Sequence, residues 1–274
     1  MKEYIRQLIS TQPNSLLKRS IIREYLQARI LQMLQEERAF LNIAFLGGTS
    51  LRFLYSIPRY SEDLDFSKLK SKNFEFDDLL NSIEKGFKLE NYKIGIKKCK
   101  DKTVLSAFIR FPSLLYEFDL SLYQEETISI KLEIDSNPPS GANTDVTLIK
   151  KYVLLNILHY DKASLFAGKI HAILARKYTK GRDLFDLIWM LANPEWPIPN
   201  FILLDNALKQ TGWAGPEINL GNWKDIISSH LMVINWKKAT EDIIPFLERE
   251  GEKYLLTLDN CLNLLHKFKN INPS

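Results

Sequence analysis

The sequence predicts an α+β fold, a mixed sheet domain followed by a helical half, and three observations carry that expectation. Extended segments and amphipathic helical stretches interleave up to about residue 135. A turn-rich loop, Ser136–Gly141 (SNPPSG), then interrupts the pattern. Beyond it the apolar spacing reads as one helix after another. The expected domains are therefore residues 1–140, a sheet domain with an N-terminal helix, and residues 141–274, a helical domain.

Residues 17–38 place Ile21, Ile22, Tyr25, Leu26, Ile30, Leu31 and Leu34 at helical spacing, which predicts an amphipathic helix with a charged outer face. Residues 43–47 read as a first strand, stopped by Gly47-Gly48, and residues 49–57 as a short helix broken by Pro58. A second strand is expected over 63–67. A helix over 76–90 follows, with Phe76, Leu79, Leu80, Ile83 and Phe87 as its buried stripe. Residues 92–98, 104–111 and 128–135 run apolar or alternate as strands do. In the second half, helices are expected over 162–178, 182–193, 200–211, 223–231, 237–249 and 253–269, with Asn270–Ser274 fraying.

Composition narrows the function classes. With 45% hydrophobic and 26% charged residues the chain is an ordinary globular protein. Its net charge of +4, from 37 basic and 33 acidic side chains, means that a nucleic-acid partner would have to be met by a local basic patch. Cys99 and Cys261 lack disulfide or metal spacing, MKEYIRQLISTQ is too polar to read as a signal peptide, and no apolar run approaches the roughly 18 residues of a membrane span. The expectation is a soluble, cytoplasmic protein with reduced thiols and no membrane partner.

Chemistry concentrates in residues 45–66. On a strand, Asp63 and Asp65 point to one face while Leu64 and Phe66 point to the core. Two carboxylates that close repel unless a cation lies between them, and magnesium meets that need in phosphoryl-type transfer. Upstream, Gly47, Gly48, Thr49 and Ser50 form a strand-to-helix turn whose amides and hydroxyls can face a phosphate, with Arg52 one helical turn on. A polar turn and a simple helix cap are the plain alternatives, and it is the short gap from Thr49 to Asp63 that makes a shared site plausible. Alternation in residues 130–135 sets Lys131, Glu133 and Asp135 on one face, with Glu133 the first choice for a third metal ligand and Asp135 behind it. Solvated charge on an edge strand competes with that reading. In the helical half, Lys169 and Arg176 stand seven apart on one helix face, while Asp183 and Asp186 lie one turn apart at the start of the next helix. Acids there ordinarily serve the helix dipole.

The ordered set GGTSLR, SEDLDF, IKLEID, AGKIHAILAR and GRDLFDL, over about residues 43–191, resembles the AbiEii-type nucleotidyltransferase toxins, type IV toxin–antitoxin members of the DNA polymerase β-like superfamily. The resemblance implies a nucleotidyltransferase-like sheet domain and a helical domain that completes the site and binds the acceptor. It implies Gly47 to Ser50 as the nucleotide-holding turn, Asp63 and Asp65 as metal ligands, Lys131 with Glu133 as the second element, Lys169 as a nucleotide contact, and Asp183 with Asp186 as the last element. It further implies a nucleoside triphosphate co-substrate with magnesium, of which the carboxylate pair suits two ions, and an RNA acceptor, with the transfer RNA 3′ end foremost, whose modification blocks translation. A DNA-binding repressor encoded alongside would be the antitoxin. The spacing of Lys131 and Glu133, with Asp135 beyond, leaves the third metal ligand open between the two acids.

The expected reaction is attack of an RNA 3′ hydroxyl on the α-phosphate, with Asp63, Asp65 and Glu133 on the metal and Lys169 and Arg52 balancing the triphosphate charge. Arg176 is grouped with the nucleotide-binding residues, and Asp183 either positions Lys169 or assists proton removal. His159, His171, His230 and His266 lack metal-ligand spacing and are expected to be structural or exposed. Competing expectations are transfer to a protein or a small molecule such as an antibiotic, and a non-catalytic nucleotide-binding regulator. Beyond residue 195 the tryptophans are expected mostly in the core, although substrate choice is assigned to that region.

Overall fold

In the computed structural model, which describes residues 2–69, 75–99 and 103–269, alternating burial along the extended segments builds one seven-stranded sheet. Asn270–Ser274, the expected frayed end, lies outside the described residues. The chain gathers into two units. The first takes the chain up to Ser56, Tyr60–Asn137 and Val146–His159; the second takes Ile57–Arg59, Pro138–Asp145 and the chain from Tyr160 onward.

The sheet unit opens with α1 (Lys2–Ser10) and α2 (Ser15–Glu36), followed by β1 (Ile43–Leu46), α3 (Gly47–Tyr55), β2 (Leu64–Lys68) and α4 (Phe76–Leu89). Then come β3 (Gly95–Cys99), β4 (Val104–Pro112), the single turn α5 (Leu114–Glu117), β5 (Thr127–Asp135), β6 (Thr144–Lys151) and β7 (Val153–Tyr160). The strand order is β3-β4-β5-β2-β1-β7-β6. β1 runs antiparallel to β2, whereas the pairs β2 with β5 and β1 with β7 are parallel, so the sheet is mixed and β2 lies inside it.

Apolar side chains on the inner faces explain this order. Ile43, Phe45, Leu64, Leu132 and Ile134 are fully buried, and Phe45 meets Phe66 with ring centroids 5.2 Å apart. α2 is entered through Asn14, whose side chain accepts from the Leu17 amide. It departs from the expected amphipathic pattern, because Glu24 and Gln27 are buried along with Ile22, Leu26 and Ile30. Gln27 donates to the carbonyls of Ser61 and Glu62, so a helical side chain fixes the loop ahead of β2.

Two strands come from residues that the sequence reading leaves with the helical half. β6 and β7 form the far edge of the sheet, and Tyr152 between them takes φ +62°. A turn made without glycine or asparagine carries no breaker signal, so Val146–Tyr160 does not announce itself as a hairpin. The burial of Leu155 and Ile157 shows why the pairing holds.

The helical unit holds α6 (Lys162–Ala175), α7 (Gly181–Ala192), α8 (Phe201–Gln210), α9 (Trp223–Leu231), α10 (Trp236–Ile243) and α11 (Leu258–Lys267). α10 is shorter than the expected 237–249, since Pro245 cannot continue it and short 3₁₀ turns follow. α11 begins at its Thr257 cap rather than at residue 253. Of the four tryptophans expected in the core, Trp196 and Trp223 are fully buried, with Trp223 packed edge-on to Phe166 and Phe268, whereas Trp213 and Trp236 are only half-buried. Among the described residues, no helix is long and apolar enough to cross a membrane.

Candidate active site

Strand β1 ends where the helix must begin, and the backbone makes that change at Gly47, with φ +82°. α3 starts there, two residues ahead of the expected Thr49, so Gly47 and Gly48 belong to its first turn. Its N-cap is Leu46, whose side chain offers no acceptor to the first amides. A side chain at position 47 would overlap the Asp65 carboxylate, so glycine is what lets Asp65 lie against this turn.

Asp65 reaches the turn through register. It pairs with Leu46 on β1 and with Glu133 on β5, while Leu64 and Phe66 on either side are buried. Asp63 lies one residue before β2, on the same half-buried parity as Asp65. Its carbonyl accepts from the Thr49 hydroxyl, which ties the loop carrying Asp63 to the helix carrying the glycines.

On β5, Ile130, Leu132 and Ile134 are fully buried, leaving Lys131, Glu133 and Asp135 half-buried on the opposite face. Lys131 Nζ sits 2.6 Å from Glu133 Oε1. That hydrogen bond raises the Lys131 pKa above its usual value, and the charges of Glu133 and Asp63 add to it against a partial loss of solvation. Asp135 instead accepts from the Asn137 amide at 2.9 Å and stands opposite Ser67. Register therefore sets Glu133, rather than Asp135, across from Asp65.

Three side chains expected to face phosphate are engaged within this unit. Thr49 and Ser50 are completely buried, with Ser50 donating to the Gly47 carbonyl at 2.8 Å. Arg52 is buried against Glu24, Nε to Oε2 2.5 Å, and lies over the Tyr60 ring at 4.7 Å. Glu24 also accepts from the Tyr152 hydroxyl at 2.7 Å and has Lys151 Nζ at 3.3 Å. Burial, reinforced by the Glu24 charge, raises the Tyr152 pKa. Sequence reasoning passed over Glu24, although an acid set between Ile22 and Leu26 on an apolar-patterned helix was the available signal.

In the helical unit, Lys169, Asp183 and Asp186 come together. Lys169 Nζ lies 3.0 Å from Asp183 and 2.7 Å from Asp186, with only 12% of its side chain exposed. α6 ends at Ala175, so Arg176 lies just past the helix, where its guanidinium pairs with Asp183. Arg59, which no motif marks, forms a two-pronged pair with Asp186 at 2.6 and 2.5 Å, and both side chains are essentially inaccessible. Burial disfavours the Lys169 ammonium, but Asp186 and Asp183 outweigh it and raise its pKa; burial likewise opposes the Asp183 carboxylate, and Lys169 and Arg176 nevertheless lower its pKa.

Among the described residues, no three His, Cys, Asp or Glu side chains converge as a ready-made metal cage. The donor set of the sheet unit fits a cation that arrives with phosphates, since magnesium characteristically takes one or two carboxylates and completes its shell with substrate oxygens and water. Asp65 places such a carboxylate against the glycine turn, and Asp63 two residues earlier shares its half-buried parity. The histidines stay outside this chemistry: His159 bonds Thr147 at 2.8 Å and His171 bonds Thr211 at 3.0 Å. Both cysteines are free, and burial pushes the Cys261 thiol up to about 12.

The model of the nucleotidyl transferase AbiEii toxin family, type IV toxin–antitoxin system, matches residues 29–260. The chain belongs to the AbiEii family. It is a nucleotidyltransferase toxin, as the motif order implied. No curated protein sequence matches it. Its fold is similar to that of MenT4, a nucleotidyltransferase toxin from Mycobacterium tuberculosis H37Rv, at 13% identity and TM-score 0.63 over 98% of this chain and 90% of that one. JHP933 from Helicobacter pylori is similar at 21% identity and TM-score 0.53 over 90% of this chain and 92% of that one. At these identities the two structures establish the fold alone.

Proposed function

We propose that this AbiEii-family toxin transfers nucleotides from a nucleoside triphosphate to the 3′ hydroxyl of an RNA, with transfer RNA the foremost acceptor, and so blocks translation. The observation that carries the proposal is the packing of the Asp65 carboxylate against Gly47, with Glu133 directly across on β5. Acids from two strands thus stand beside a helix start whose first amides have no side-chain cap.

In the proposed reaction the RNA 3′ oxygen forms a bond to the α-phosphorus as the bond to the β-phosphate oxygen breaks, pyrophosphate leaves, and the hydroxyl proton passes to solvent. When bound, divalent magnesium supplies neutralisation of charge at the attacking and leaving oxygens. Asp63 and Asp65 would hold it, and Glu133, paired here with Lys131, would be the third ligand. The first amides of α3 donate to phosphate oxygens, while Thr49, through the Asp63 carbonyl, keeps acid and turn in step. Lys169 is the proposed nucleotide contact of the helical unit, held charged by Asp183 and Asp186. Arg52, bound to Glu24, acts by fixing α3. The antitoxin is proposed to be a DNA-binding repressor encoded alongside.

The test is incubation of wild-type protein and Asp63→Ala with total transfer RNA, magnesium and each labelled triphosphate in turn. A shift of RNA by a few nucleotides, lost in the variant at unchanged melting temperature, is expected. Label entering a protein or an aminoglycoside instead, or full transfer by Asp63→Ala, overturns the proposal.

A further inference from the structure

The loop between α6 and α7 carries a concentration of positive charge that the chemistry above does not use. Residues 176–182 read Arg-Lys-Tyr-Thr-Lys-Gly-Arg, four cations in seven positions and no acid. Two of the four are committed: Arg176 pairs with Asp183, and Arg182 stacks over the Phe246 ring at 4.1 Å. Among the described residues, Lys177 and Lys180 have no ion-pair partner, and between them Tyr178 is 69% exposed.

Both ends of the loop are held. Arg176 anchors the start, and at the other end the Gly181 amide donates to Asp242 at 2.8 Å. Gly181 packs so closely on the Ala239 carbonyl of α10 that a side chain there would collide with it. That helix brings Lys237 and Lys238, both exposed, along with Glu241. Three consecutive exposed or half-exposed side chains, Tyr178 to Lys180, together with Lys177, are therefore presented from a fixed frame rather than a slack one. Lys177 and Lys180 stand at most about 10 Å apart along the chain, a reach suited to a short stretch of sugar–phosphate backbone. An aromatic face between cations is the pattern that binds single-stranded nucleic acid, where lysines meet phosphates and a ring stacks on a base.

We infer that the Lys177–Lys180 loop is a contact surface for the single-stranded end of the acceptor RNA, with the two lysines on phosphates and Tyr178 stacked on a base. For its choice of ligand this rests on the RNA-acceptor reading above. The assay is fluorescence anisotropy of a labelled RNA hairpin with a single-stranded 3′ tail, titrated with the full chain over a range of salt concentrations. In a Lys177→Ala, Lys180→Ala double variant the slope of log affinity against log salt falls by about 1.4, roughly 0.7 for each lost phosphate contact on a single strand. Tyr178→Ala weakens binding roughly 5- to 100-fold with the slope unchanged, and Tyr178→Phe restores it.

Wild-type affinity and slope in the double variant overturn the inference, as does a wild-type protein that does not bind the tailed hairpin. Equal competition by polyglutamate, with no effect of Tyr178→Ala, also overturns it in favour of an acidic protein partner. Binding requires no turnover, so the two proposals fail separately. RNA bound through this loop but never extended sinks the transfer reading alone; RNA extended while the loop variants bind normally sinks the loop alone.

Discussion

The sheet unit and the helical unit each gather acidic side chains, and they differ in how far they seal them from solvent. Asp183 and Asp186 are sealed in, and Lys169, Arg176 and Arg59 neutralise them at hydrogen-bonding distance. Asp63, Asp65 and Glu133 are half-buried, Asp65 lies against the glycine turn, and Lys131 pairs with Glu133. Sealed and matched charge stabilises a particular arrangement, because removing one member strands the other in a poor solvent. Charge left at a solvent-reached face beside uncapped amides is what a transferable anion and its cation need. Under the proposed reaction, the difference would separate acids that position a buried lysine from acids that meet the cation, although all of them occur as short Asp- or Glu-containing motifs.

The contrast breaks most visibly at the Arg59 pair. Asp186→Ala should destabilise the protein by about 3–5 kcal/mol in urea unfolding, whereas Arg59→Met combined with Asp186→Leu should recover much of that loss. On the sheet side the effect moves from stability to rate: Asp65→Asn is expected to lower nucleotide transfer about 10³-fold, about 4 kcal/mol in the barrier, with the urea midpoint little changed. A large loss of stability in Asp65→Asn would erase the distinction. Gly47→Ala sits between the two, since the new side chain meets both a positive φ and the Asp65 carboxylate; a loss of about 1–3 kcal/mol together with impaired transfer is expected.

Acid sharpens the comparison further. Asp183 titrates below its ordinary 3.8 in the folded protein, so its contribution is complete above that value and disappears as pH falls through the lowered one. Lys169, raised above its ordinary 10.5, contributes fully below that pH and loses its contribution as pH climbs through the raised value. Asp183→Asn should therefore be less stable than wild type at pH 7, with the gap closing below about pH 4 in parallel denaturation curves. The smallest effect belongs to Lys131→Met, whose partly exposed pair with Glu133 should change stability by less than about 1 kcal/mol while altering the metal dependence of transfer.

Much of the sheet side was legible in the chain. Strict alternation in residues 130–135 marks the face carrying Lys131 and Glu133, and the apolar alternation of Leu64 and Phe66 marks β2, although the strand begins one residue after Asp63. The local period is the whole cause there, so local reasoning suffices. What escaped depends on distant partners. The turn at Tyr152 stays in the left-handed region with its hydroxyl held by Glu24 and its ring 5.7 Å from Tyr25, contacts that no window around residue 152 contains. Arg59 looks like one more charge after a proline until Asp186 is brought to it. The hydroxyls of Thr49 and Ser50 read equally well as phosphate donors or as internal caps, and only the backbone around them distinguishes the two.

The excursion of Ile57–Arg59 has a consequence for how the protein is made and cut. The last partner of Asp186 is synthesised 127 residues ahead of it, so a nascent chain carries that guanidinium long before its counterpart emerges from the ribosome. A fragment beginning at Tyr160 would hold every helix of the second unit and still lack one arm of its innermost clasp. Excising that half for separate expression therefore calls for restoring its own early piece, Ile57–Arg59, without which Asp186 keeps Lys169 but loses its guanidinium partner.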